Sequence, residues 1–147
     1  MDEYMIIYTI ENKLDPDEFI AVLKESTLGE RRPIGDRGRI IKMCENANLI
    51  VAARSVGKMV GVARALTDFS YCTYLSDLAV SEDFQKLGIG TELIRRVKEA
   101  VPEANLILLS APRATEYYPK IGLTRHEAAF VLSRIEDLRI SGNHSNQ

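Results

Sequence analysis

Apolar residues recur along this chain with two different periods, and the period changes from segment to segment. The run YMIIYTI at residues 4–10 is β-branched and aromatic and predicts a first strand. Asp15 and Pro16 mark a helix start, a carboxylate N-cap followed by proline at the first helical position. Phe19, Ile20 and Leu23 then follow at helical spacing. The polar stretch STLGERRPIGDRG is broken by glycine and proline and reads as a loop, with a second helix predicted over residues 37–46. Strands are predicted over 48–55 and 59–67, joined by a short turn at Val56–Lys58, and again over 73–80. A helix over 88–100 carries Leu93, Ile94, Val97 and Val101 on one stripe. Leu106–Leu109 reads as a short strand, Thr115–Ile121 as a short helix and Ala128–Leu132 as a last strand. The order β α α β β β α β α β predicts a mixed α/β (α+β) domain with helices on the faces of one sheet. No repeat or linker divides the chain. Residues 138–147 read as a disordered tail, and the final SGNHSNQ has no apolar residue.

Composition narrows the function classes. The chain has 147 residues, which favours one domain with one core. Hydrophobic residues are 46% and charged residues 27%, an ordinary globular balance. The net charge of -2 argues against a general nucleic-acid binder. No apolar run has the length of a membrane span, and the acidic N-terminus lacks the basic start of a signal peptide, so a cytoplasmic location is expected. Cys44 and Cys72 read as small apolar residues, and no Cys/His cluster has metal-ligand spacing.

Candidate chemistry concentrates at the mouth of the 88–100 helix. A helix N-terminus leaves N–H groups unpaired and carries partial positive charge, which suits a phosphate. Gly88 and Gly90 let an anion approach the backbone closely, and Lys86 adds a positive charge. The spacing is neither a dinucleotide fingerprint nor a P-loop, because Thr91 and Glu92 follow Gly90.

In context, LAVSEDFQKLGIGTELI resembles the acetyl-CoA motif of the GNAT family of N-acetyltransferases: a strand, a Q/R-x-x-G-x-G/A loop and a helix. ATEYYPKIGL is similar to the same family's A-x-x-F/Y-Y-x-K-x-G-F segment. The resemblance covers roughly residues 4–133. It implies one GNAT domain over 1–137, with a mostly antiparallel mixed sheet, a β-bulge and a V-shaped cleft. It also implies an enzyme: an acyltransferase, outside the amino-acyl-transferring class, that uses acetyl-CoA as cosubstrate and no metal to acetylate a primary amine of a small molecule. Leu78, Ala79 and Val80 are then expected to line the pantetheine arm, pairing with it as an added strand would. Gln85, Lys86, Leu87, Gly88, Ile89, Gly90 and Thr91 are expected to cradle the pyrophosphate.

The resemblance also implies chemical roles. Tyr118 matches the family's tyrosine and is the expected general acid for the departing thiolate, while its neighbour Tyr117 reads as packing. Asp77 is the one titratable side chain in LSDLAV and the candidate base. Its other reading is a structural carboxylate, which would leave deprotonation to a water chain with backbone carbonyls. Where many relatives carry asparagine the chain has Ala111, so the cofactor-arm contact on that side is in doubt. Leu123 replaces a more usual phenylalanine. For the acceptor, the candidates are Arg31 and Arg32 in the first loop, with Phe69, Tyr71 and Tyr74 as an aromatic wall. Arg31, Arg32, Arg37 and Arg39 also read as a solvated loop paired with Glu30 and Asp36. His126 and His144 have no evident partner. Alternatives to the small-molecule reading are a protein or peptide N-acetyltransferase and a non-catalytic CoA-binding regulatory domain. Partners beyond acetyl-CoA and an amine are limited to a homodimer, with no nucleic acid and no membrane expected.

Overall fold

The structure is a computed structural model, and it describes residues 5–140. Tyr4, at the start of the predicted first strand, and the SGNHSNQ end of the predicted tail lie outside the described residues. The chain divides into two compact units, Met1–Ser110 and Ala111–Gln147.

The first unit is built on a five-stranded sheet: β1 (Ile6–Glu11), β2 (Leu49–Ser55), β3 (Lys58–Thr67), β4 (Cys72–Val80) and β5 (Asn105–Ile107). Spatial order follows chain order. The first three pairings are antiparallel and β4–β5 is parallel. Only the last connection therefore needs a crossover, and helix α3 (Ile89–Ala100) supplies it.

Helix α1 (Pro16–Ser26) starts where its sequence dictates. The Asp15 carboxylate accepts from the Glu18 N–H at 3.0 Å, and Pro16 follows at the first helical position. Asp36 caps α2 (Arg37–Asn46) in the same way, accepting from the Arg39 N–H at 3.1 Å. Between the helices, Thr27 turns left-handed and Leu28–Arg31 form a 3-10 turn.

Strand alternation divides the core. Ile50, Ala52, Met59, Val62 and Ala79 pack against Phe19, Val22 and Leu23 of α1 and Ile40 and Cys44 of α2. Ala53, one position along β2, faces Ile89 and Leu93 of α3 across Gly61. The sheet thus carries helices on both faces. Phe19, Val22 and Leu23 are fully buried, and each such side chain stabilises by about 1.5–3 kcal/mol. Arg54 fastens the far edge, donating to both carboxylate oxygens of Glu11 on β1 and of Glu18 on α1 at 2.8–3.0 Å. Burial pushes the Cys44 thiol up to about 11, as suits a small apolar residue, whereas Cys72 is exposed.

The second unit contains a 3-10 turn at Pro112–Ala114, a short helix α4 (Tyr117–Lys120) and a 3-10 turn at Ile135–Asp137. The predicted strand at Ala128–Leu132 is not formed. Among the described residues of this unit no second strand exists to pair with it, and a lone strand leaves its backbone groups to water. Phe130 is 90% exposed there. His126, without an evident partner in the sequence, accepts on Nδ1 from the Ala128 N–H at 3.1 Å.

Candidate active site

Strand β4 parts from β5 early. The two pair only from Cys72 to Tyr74, against Asn105 to Ile107, and β4 continues to Val80 without β5 beside it. The ladder with β3 is interrupted at the same place. Arg64 pairs with Asp77 and Ala65 with Leu75, so Ser76 is an extra, unpaired residue. Such a bulge bends its strand and increases the local twist. Leu78 and Val80, beyond the bulge, are half-buried, and Ala79 is buried against α1 and α2. The bulge and the opening beside β4 match the expected cleft.

The chain then turns through Glu82–Phe84 into the glycine loop. Lys86 has φ 68° and Gly88 φ +83°, two left-handed residues on either side of Leu87. Left-handed turns of this kind turn N–H groups toward one side and form anion-binding hollows. The Gly88 carbonyl accepts the first helical bond, from the Glu92 N–H at 3.0 Å. The Gln85 side chain donates to the Val80 carbonyl at 2.9 Å, which holds the loop against the end of β4. Glycine is favoured at Gly88 by its backbone angle rather than by crowding, since a Cβ there would meet nothing within 4 Å. Glu92, in the first turn, bonds to Arg95 and Arg96, and those guanidinium groups hold its carboxyl down at about 2. A hollow lined by Glu25, Lys58, Ser81, Glu82, Asp83 and Phe84 is acidic and does not suit a phosphate.

Asp77 is completely enclosed. Its Oδ1 accepts from Arg32 Nε and its Oδ2 from Arg64 Nε at 2.5 Å. Its side chain is 0% exposed, Arg64 7% and Arg32 21%. Arg64 also donates to the Ser76 hydroxyl at 3.0 Å and to the Met43 carbonyl of α2 at 3.1 Å. Arg32 donates to the Ser76 carbonyl at 2.8 Å and to the Arg31 carbonyl at 2.9 Å. The sequence reading missed Arg64, which sits in a run that reads as an ordinary strand. A charged residue between Ala63 and Ala65 was the available signal. Arg31 is exposed, and Arg37 pairs with Asp17 of α1 at 2.7 Å rather than with its loop neighbours.

The aromatic candidates separate. Phe69 and Tyr71 stand exposed in the β3–β4 turn. Tyr74 lies on β4 between Leu66 of β3 and Ile107 of β5, all three partly exposed on one face. Tyr118 is a half-buried residue of α4. Burial raises its phenol above the ordinary tyrosine value, with a smaller contribution from Tyr117. The two rings meet edge to face, centroids 5.1 Å apart. Among the described residues no group of side chains could hold a metal ion, and no helix is long and apolar enough to cross a membrane.

These features have counterparts among known proteins. Residues 36–139 match the family model of the acetyltransferase (GNAT) domain. An uncharacterised N-acetyltransferase, ycf52, of Pyropia yezoensis is 28% identical over 81 residues, 53% of this chain. The match spans 47% of that protein, about half its length. A GNAT-family acetyltransferase from Streptococcus pneumoniae superposes with a TM-score of 0.73 at 17% identity, covering 88% of this chain and 99% of that one. An aminoglycoside acetyltransferase from an uncultured soil sample, in complex with sisomicin, gives a TM-score of 0.65 at 18% identity, covering 88% and 95%. At those identities the two structures speak for the fold alone. The family model covers well over half the chain, its strand, glycine loop and helix fall within the match, and the chain belongs to the GNAT acetyltransferase family.

Proposed function

We propose that this chain transfers an acetyl group from acetyl-CoA to a primary amine of a small molecule by direct attack. The observation that carries the reading is the Lys86–Gly88 turn, which delivers left-handed backbone into the N-terminus of α3 just beyond the bulge of β4. Gln85, Lys86, Leu87, Gly88, Ile89, Gly90 and Thr91 fit a diphosphate, because the loop offers amides, a lysine and no carboxylate. Leu78, Ala79 and Val80 fit an extended amide-bearing arm, because β4 there has no strand on its β5 side. Acetyl-CoA supplies the acetyl thioester. A fixed β4 N–H would stabilise the oxyanion that forms as the amine attacks. The resemblance of ATEYYPKIGL to the family's segment makes Tyr118 the proposed donor of the proton that the departing sulfur needs, and its raised phenol holds that proton at neutral pH.

Asp77 is assigned a positioning role rather than that of base. Both its oxygens already accept from guanidinium groups and water does not reach it. Deprotonation of the amine is left to water and backbone carbonyls. Tyr74, with Leu66 and Ile107, supplies an apolar wall for the acceptor, and Arg31 an exposed cation.

Calorimetric titration with acetyl-CoA, followed by free-thiol release against sisomicin, spermidine, free amino acids and a lysine peptide, tests the reading. Binding with release on a small amine supports it. Release on the peptide alone replaces it with a protein acetyltransferase. Binding with no release on any amine favours a CoA-binding regulatory domain. Absence of binding rejects the loop assignment.

A further inference from the structure

Ser76 is the extra residue of β4, and a bulge residue has no ladder partner for its own polar groups. Two arginines from distant segments supply the partners. Arg32 reaches the Ser76 carbonyl from the loop between α1 and α2, and Arg64 reaches the Ser76 hydroxyl from β3. Both then close on the two oxygens of Asp77. Arg64 extends the lock to α2 through the Met43 carbonyl. Among the described residues no buried side-chain polar atom lacks a partner.

Stability is a weak account of this cluster. It takes one carboxylate and an arginine almost wholly out of water, and well-packed apolar residues often replace such buried charges without loss. What charged forks give beyond apolar packing is direction, since a guanidinium fixes several acceptors in one plane.

We propose that Arg64 and Arg32 are positioning residues that set the β4 bulge, with Asp77 as their common anchor. Arg64 fixes the bend from behind, and so fixes where Leu78–Val80 run. Arg32 ties the loop at Leu28–Asp36 to the same bend, so the loop beside the acceptor and the strand beside the thioester hold one relative position. The inference rests on the acetyl-transfer reading for its kinetic half only.

Four variants test it: Arg64→Met, Arg64→Lys, Arg32→Met and Arg32→Lys. Each is measured for acetyl-CoA affinity, for kcat and KM with whichever panel amine wild type turns over fastest, and for amide exchange at Ser76–Leu78 without ligand. Arg64→Met is expected to lower kcat about tenfold or more, because misplacement of the reacting groups is costly, with a smaller loss of acetyl-CoA affinity, since the glycine loop stays in place. Arg64→Lys keeps the charge but not the fork and should stay nearer the methionine variant than wild type. Arg32→Met should raise the acceptor KM about tenfold, the size of one lost ordering contact, with a smaller change in kcat. Equal losses in kcat, acceptor KM and acetyl-CoA affinity, tracking a fall in Tm, would overturn the proposal in favour of general support of the fold. Full activity in Arg64→Lys would also overturn it. If Arg64→Met does not fold, the Arg32 pair decides, since that side chain is partly exposed. If wild type binds no acetyl-CoA, the enzyme reading fails separately, and exchange decides the clamp. Faster exchange at Ser76–Leu78 in the Arg64 or Arg32 variants supports it, and unchanged exchange overturns it.

Discussion

Leu93 of α3 occupies the space that a side chain on Gly61 would need. A Cβ built on Gly61 lies 3.3 Å from Leu93 Cδ1 and 3.2 Å from Ile89 Cγ2. The first two turns of α3 can therefore lie close against β3, and Ile89 directly follows the Gly88 turn. Gly61→Val would push on both residues at once. A destabilisation of about 1–3 kcal/mol is expected, as for other overpacked cores, together with weaker acetyl-CoA binding. Urea unfolding and calorimetry check the pair. A stable variant with unchanged affinity would show that the helix can lift without moving the loop.

The loop itself is tested at Gly90, in the first turn of α3. Gly90→Glu brings bulk and a negative charge to the site proposed for a diphosphate. Acetyl-CoA affinity should fall by about a hundredfold or more, since like charges at a desolvated contact cost several kcal/mol. Circular dichroism establishes folding. A folded variant that binds as well as wild type removes the loop from the binding site.

Tyr118→Phe removes the proposed proton donor and leaves the ring. We expect kcat to drop about a hundredfold, the low end for a positioned acid, with acetyl-CoA affinity preserved. The wild-type phenol is raised by burial, so it keeps its proton to higher pH than an ordinary tyrosine. The alkaline fall in kcat assigned to Tyr118 should therefore lie above the usual tyrosine range, and it should vanish in the variant. A pH profile of thiol release, run on both proteins, decides the matter; identical profiles would exclude Tyr118 as the acid.

Asp68 makes the β3–β4 turn sensitive to acid. Its Oδ1 accepts from the amides of Ser70, Tyr71 and Cys72 at 2.7–3.1 Å. Those bonds, Tyr71 first, bring its carboxyl down to about 2. The unfolded value is about 3.9. A depressed carboxyl contributes its full share above the unfolded value and loses it as pH falls through the folded one. Amide protection at Ser70–Cys72, taken relative to the unstructured rate at each pH, should hold near pH 5 and fall toward pH 2. An NMR titration that gave Asp68 an ordinary midpoint would contradict these bonds.

How far the sequence carried the fold varies by segment. The boundaries of α2 and the start of α1 were legible because capping is local: Asp15, Pro16 and the helical apolar spacing lie within a few residues of one another. The end of β5 was not, because Leu106–Leu109 is apolar throughout and only pairing with β4 limits the strand to Asn105–Ile107. Ala128–Leu132 has a strand's composition, but a strand needs a partner. The glycine loop was readable as a motif, whereas its left-handed Lys86 was not. The Asp77 cluster was the least accessible feature. Its members come from three segments, and nothing near Arg32 or Arg64 announces a carboxylate 45 or 13 residues further on. The loop arginines illustrate the same limit, since Arg37 takes Asp17 from another helix.

The parting of β4 from β5 has a consequence for self-association. An exposed strand edge is a template on which other chains can grow. Here the edge is interrupted at both ends by the chain's own side chains. Arg32 occupies the Ser76 carbonyl and Gln85 the Val80 carbonyl. The stretch left between them is Asp77–Ala79, too short to recruit a neighbouring sheet. A slender extended molecule would still fit it, so the opening favours a guest the width of one chain and discourages polymerisation.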